Sequence, residues 1–299
     1  MNLNEIIRIH KNTKTPGSVK QCLGDGYLLA RNPVYRRIRR WATAEGIKFR
    51  PNPPEQIYAF PTLSLGEYKR RRAIMVSDNI AHFRRLPKGL RDRFGFREVH
   101  SSYALQNRLL HESSHCLAHE HALKLRNAEP RDDRERAFNV LFEESLANAT
   151  ELLAFSYAAD DLHFEFLLMN TYLAMERPPV ERLIAIREKM GALPLFRMLV
   201  LLSLKTQFLE EAVPDTQLLK LARLFGPSSK RDLPVLRALL EIVKMHDVFK
   251  IKTARVYFLA QGFEKHFFHY LDFDYIEAFS RSPRANAILK KFEKELAGL

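Results

Sequence analysis

"LLHESSHCLAHEH", running from Leu109 to His121, concentrates four of the eleven histidines and two glutamates in thirteen residues. Its flanks, "SSYALQNRLL" before and "CLAHEHALKLRN" after, contain neither proline nor glycine, so the stretch is expected to be helical. Within it His111-Glu112-Ser113-Ser114-His115 reads H-E-x-x-H. On a helix the two histidines sit one turn apart on one face, so both imidazoles can converge on one zinc ion. Glu112, next to the first histidine, can then reach a zinc-activated water and take its proton.

The motif is short, so a third ligand decides whether it is a site. His121 falls at the third-histidine spacing of a longer pattern, but that pattern needs the chain to leave the helix at Ala118, where nothing stops it. In a continuous helix His121 points about 240° away from His115. His119 stays near the ligand face, yet about 12 Å of rise separates it from His111. It is therefore placed in the shell around the metal, not on it. The remaining candidate is the next helix, "FEESLANATELL", where Glu144, Asn148 and Glu151 form a polar stripe in an apolar segment. An antiparallel pairing of the two helices would set Glu144 beside the histidines. Asn148 could then accept a hydrogen bond from a ligand histidine. Glu143 is the nearest rival to Glu144.

H-E-x-x-H followed by a downstream E-x-x-x-D resembles the gluzincin branch of the zincin metallopeptidases, the thermolysin-like pattern. The resemblance covers about forty residues and departs from the pattern at Asn148, which stands where the family has Asp. It implies zinc held by His111, His115 and Glu144, with Glu112 as general base in peptide hydrolysis. It also implies an upper β-sheet whose edge strand binds extended peptide, for which "AIMVS" (73–77) is the candidate. The family's oxyanion-stabilising His or Tyr has no motif here; His163, Tyr157, Tyr172, His246, His266 and His269 are the available side chains.

The rest of the chain gives the frame. Residues 1–110 carry 22 Lys+Arg against 8 Asp+Glu, and residues 111–299 carry 26 against 27, so the whole net charge of +13 precedes the motif. The excess peaks in "RNPVYRRIRR" (31–40), "YKRRR" (68–72) and "FRRLPKGLRDR" (83–93). Such clusters read as a solvated basic face or as a surface for a polyanion or acidic partner. Pro and Gly recur before residue 100, so that region is read as irregular, with strands at "QIYAF" (56–60) and "AIMVS". Helices are expected at 102–126, 131–158, 161–176, 179–191, 195–212, 215–225, 231–246, 251–261, 263–280 and 284–297.

The expected architecture is therefore α+β, predominantly α and zincin-like. A basic mixed α/β region (1–100) with a small sheet precedes a helical region (101–299) carrying the site, the two forming one catalytic unit. Two cysteines, Cys22 and Cys116, are too few for a disulfide framework, and Cys116 is read as buried. The N-terminus lacks the apolar run of a signal peptide, and "MLVLLSL" (198–204) is too short to span a bilayer. A cytoplasmic zinc metallopeptidase acting on peptide or protein is the leading expectation. A non-cleaving zincin-like binding module and a basic nucleic-acid-associated protein are the alternatives.

Overall fold

The computed structural model describes residues 32–51, 73–76, 109–119, 133–157, 177–206, 214–223, 230–244, 278 and 281–299. Nearly all of these are helical. In chain order the elements are α1 (Pro33–Ala44), β1 (Lys48–Pro51), β2 (Ala73–Val76), α2 (109–119), α3 (Asp133–Phe155), α4 (Arg177–Met190), α5 (Ala192–Thr206), α6 (Asp215–Arg223), α7 (233–244) and α8 (Pro283–Leu296). The helices expected at 161–176, 251–261 and most of 263–280 fall outside the described residues, as do the strand at 56–60 and the basic runs at 68–72 and 83–93.

The expected α+β, zincin-like architecture is not what the described residues adopt. The described residues form a helical fold, and β1 and β2 are one parallel pair of four residues each, Lys48 opposite Ala73 through Pro51 opposite Val76. Ala73–Val76 is indeed extended, but a two-stranded pair of this length cannot make a layer that shields a core. Helices supply the core instead.

The reading of residues 1–100 as irregular also fails at α1, for a local reason. Pro33 acts here as a helix starter. Its missing N–H costs nothing in the first turn, and Asn32 caps that turn, its Oδ1 accepting from the amides of Val34 (3.1 Å) and Tyr35 (3.3 Å). Val34, Tyr35, Ile38, Trp41 and Ala42 then form one buried stripe. Gly46 ends the helix with φ +68°, a left-handed conformation that glycine adopts without strain. Its amide bonds Thr43 O (3.0 Å) and the Ile47 amide bonds Ala42 O (2.9 Å), which is a Schellman closure.

Three helices at the centre are buried far beyond a single stripe. Every residue from 109 to 118 is buried, every residue from 145 to 156, and every residue from 198 to 204. A helix buried on all sides must satisfy its own polar side chains. The hydroxyls do so by bonding back one turn: Ser113 to Leu109 O (2.6 Å), Ser114 to Leu110 O (2.9 Å), Ser145 to Leu141 O (2.8 Å) and Thr150 to Leu146 O (2.7 Å). α3 packs along α5 and against α1 and α4, while α8 packs against α1 and α5. Phe196 of α5 stacks on Phe292 of α8 at 5.8 Å, and Arg197 forms an ion pair with Glu293 beside it.

The C-terminal end of α3 is stitched from two directions. Asn32 Nδ2 donates to Ala154 O at 2.8 Å across 122 residues of sequence. Arg187 of α4 donates from Nε to Ser156 O at 3.0 Å and lies 4.1 Å over the Tyr157 ring. Carbonyls at a helix C-terminus have no partner within the helix; Ala154 O accepts from the Tyr157 amide at 3.0 Å as well as from Asn32, and Arg187 serves Ser156 O. These bonds fix α3, the helix that carries the acidic half of the site. Among the described residues no helix is long and apolar enough to cross a membrane.

Candidate metal centre

α2 carries His111 and His115 one turn apart, and both rings are buried, with 8% and 6% residue exposure. The rings meet edge to face, with centroids 4.9 Å apart and planes at 71°. Their Nε2 atoms face each other at 3.2 Å. α3 brings Glu144 to the same point. Its Oε1 is 3.4 Å from His115 Nε2 and its Oε2 is 3.6 Å from His111 Nε2. Among the described residues this is the one set of three or more metal-ligating side chains that converge, their donor atoms all lying within 4.8 Å of one another.

These separations can be tested against a zinc ion. Donors about 2.0–2.1 Å from one ion at tetrahedral angles stand about 3.4 Å apart. The 3.2 Å between the histidine nitrogens is close to that spacing, and the Glu144 carboxylate offers one oxygen to each ring, Oε1 at 3.4 Å from His115 and Oε2 at 3.6 Å from His111. Two histidine nitrogens and a carboxylate also match the donor set of a zinc site that keeps a fourth position for substrate or water. Glu144 is the more exposed of the three, its side chain at 23% against 10% and 8% for His111 and His115.

The electrostatics favour a lone pair at His115. Burial pushes its pKa down to about 4; the negative charge of Glu144 only partly offsets this, while His111 adds to the lowering. The ring is neutral at neutral pH, the state a metal ligand requires. His119, one turn further on, behaves in the opposite way. Burial works against its charged form, but Glu143, with Oε2 3.0 Å from its Nε2, outweighs burial and raises its pKa.

The outer nitrogens of both central rings face carboxylates of α3. His111 Nδ1 lies 2.8 Å from Glu151 Oε1, and His115 Nδ1 lies 4.0 Å from Glu143 Oε2. Asn148, expected to serve a ligand histidine, is buried at 1% exposure, but the nitrogen available at His111 faces Glu151. His119 stands outside the cluster and reaches it through Glu143, the residue weighed as the rival of Glu144. The sequence reading placed Glu151 in the polar stripe, at i+7 from Glu144 on the same helix face, but did not set it against His111.

Glu112, the expected general base, is buried at 2% exposure on the turn that carries His111. Cys116, the residue after His115, is wholly buried, as expected. Tyr157 is engaged by Arg187. His121, Cys22, His163, Tyr172, His246, His266 and His269 lie outside the described residues. Of the basic runs, residues 32–40 are described: Arg36 and Arg40 are exposed, opposite the buried stripe of α1.

No protein-family model, no curated protein and no solved structure matches this chain. The likeness to gluzincins therefore rests on the motif residues themselves.

Proposed function

We propose that this protein is a zinc-dependent hydrolase of peptide bonds, with His111, His115 and Glu144 as the metal ligands and Glu112 as the general base. The observation that carries the reading is the convergence of three side chains from two helices: the two Nε2 atoms 3.2 Å apart, with the Glu144 carboxylate turning one oxygen to each, at 3.4 and 3.6 Å. Two imidazole nitrogens and a carboxylate brought so close in a buried place are mutually costly without a cation or proton between them. A zinc ion bound there supplies Lewis acidity and makes a neighbouring water a stronger acid.

The side chains of the chain itself would do the rest. Glu112 follows His111 directly and is buried beside it, where a carboxylate can serve as a proton acceptor. It takes the proton of the attacking water and returns it to the departing amine nitrogen. Neutral His115 keeps its nitrogen available as a donor throughout. Peptide as the substrate class follows from the H-E-x-x-H resemblance.

The test is metal analysis of the purified full-length protein together with turnover of an unstructured protein such as casein. One zinc per chain and chelator-sensitive cleavage are expected. A zinc-loaded protein inert toward peptides and proteins would refute hydrolysis, and a metal-free protein that cannot be loaded would refute the centre.

A further inference from the structure

The motif that points to the site places the partner of a ligand histidine four residues after Glu144, at Asn148. The fold brings a carboxylate to that imidazole from three residues further on. Glu151 Oε1 lies 2.8 Å from His111 Nδ1, with the two side chains 5% and 10% exposed. From two turns earlier on the same helix, Glu144 approaches the other nitrogen of the ring, Oε2 to Nε2, at 3.6 Å. One helix thus flanks both nitrogens of one imidazole. The second ring is held differently. Glu143 is 4.0 Å from His115 Nδ1, too far for a hydrogen bond, and the same oxygen is 3.0 Å from His119 Nε2.

We propose that Glu151 is the positioning residue of the centre: it holds the His111 proton on Nδ1 and so leaves Nε2 as a donor atom for a divalent cation, while among the described residues the carboxylate facing His115 Nδ1, that of Glu143, stands 4.0 Å away. The proposal deepens the metal reading above and rests on it. Its physical basis is the cost of a buried carboxylate, which is lowest when a proton donor faces it. A neutral imidazole has one N–H, so placing the proton toward Glu151 leaves the lone pair on the nitrogen facing Glu144. The carboxylate oxygen is at hydrogen-bond distance but off the line of the N–H, and the soft χ2 torsion of histidine lets the ring turn into alignment. The charge absent at Asn148 is thereby restored one turn later on the helix. Glu143 divides its reach between His115 and His119, which makes the two ligand histidines unequal.

Two measurements on the full-length protein test this. The first is zinc affinity by competition with a chromophoric chelator. Glu151→Ala is expected to lose about 10–100-fold, the usual cost of removing an outer partner. Glu151→Gln should fall between wild type and Glu151→Ala, because its amide oxygen still accepts from Nδ1 but carries no charge. Glu143→Gln should lose less than Glu151→Ala. Wild-type affinity in Glu151→Ala, or a greater loss in Glu143→Gln, would overturn the assignment. The second measurement needs no variant and no metal: the His111 tautomer in the metal-free protein at about pH 8, read from its ring ¹⁵N shifts. The Nδ1–H form is expected, and the Nε2–H form would overturn the proposal. Failure of the wild-type chain to take up zinc would instead remove the metal reading on which the proposal stands, so the two failures are distinguishable.

Discussion

The Nε2 atoms of His111 and His115 face each other across 3.2 Å, and Glu144 closes the triangle from another helix. One zinc per chain is expected at that point. His111→Ala and His115→Ala should abolish stoichiometric binding, and Glu144→Ala should weaken it strongly. Chelation should lower the melting temperature of the wild type and leave that of His111→Ala unchanged, because only a protein that binds the ion gains from it. Elemental analysis and thermal scans check both. Undiminished affinity in Glu144→Ala would mean that another side chain completes the site.

Glu112→Gln should keep the fold and the zinc, since the amide is nearly isosteric and the residue is not a ligand in this scheme. Casein cleavage should fall by at least about a hundredfold, the usual scale for losing a general base. Equal activity in wild type and variant would remove Glu112 from the chemistry.

Acid should destabilise the metal-free protein through His115. Its pKa is lowered from an ordinary 6.5 to about 4, so between those values the unfolded chain binds the proton that the folded chain refuses. The stabilising contribution is complete above pH 6.5 and is lost as pH falls toward 4, a change on the order of 3 kcal/mol. His119, raised by Glu143 against the effect of burial, has the opposite sign: its contribution is greatest in acid and fades as pH rises through its folded value. Urea unfolding of metal-free wild type and His115→Asn across this range is the check. A pH dependence as steep in the variant as in the wild type would contradict the assignment.

Asn32→Ala should cost about 2 kcal/mol, about 1 for the lost helix cap and about 1 for the buried bond to Ala154 O. Chemical denaturation measures it. Asn32→Asp keeps the cap acceptor but cannot donate to a carbonyl, so it should recover only the first part. Full recovery would show that the long-range bond contributes nothing.

Much of the site was legible in the sequence because its parts follow helix arithmetic. His111 and His115 are four apart, and Glu144 heads a polar stripe in an apolar helix, so one antiparallel pairing suffices to bring them together. Glu151 was visible in the same stripe. Its partner was not, because which ring nitrogen meets which carboxylate depends on the axial offset between α2 and α3, a tertiary quantity. The helices from 177 onward were read to within a few residues where they are described, their ends marked by Gly191, Pro214 and Ser282-Pro283. α1 was missed by treating Pro33 as a breaker, although Asn32-Pro33 and Gly46 mark its two ends. The expected sheet came from the family resemblance, and four-residue strands carry too little periodicity to confirm or exclude a layer.

The bond between Asn32 and Ala154 has a consequence for synthesis on the ribosome. The first half of the bond is made 122 residues before the second, a delay on the order of ten seconds at ordinary translation rates. Throughout that interval the apolar stripe of Val34, Ile38 and Trp41 has no α3 to cover it. Arg36, Arg37, Arg39 and Arg40 are interleaved with the stripe and carry like charge. Their mutual repulsion between nascent copies would act as a gatekeeper against aggregation until α3 emerges. The density of arginine in α1 is thus suited to a chain whose first helix must wait for its partner.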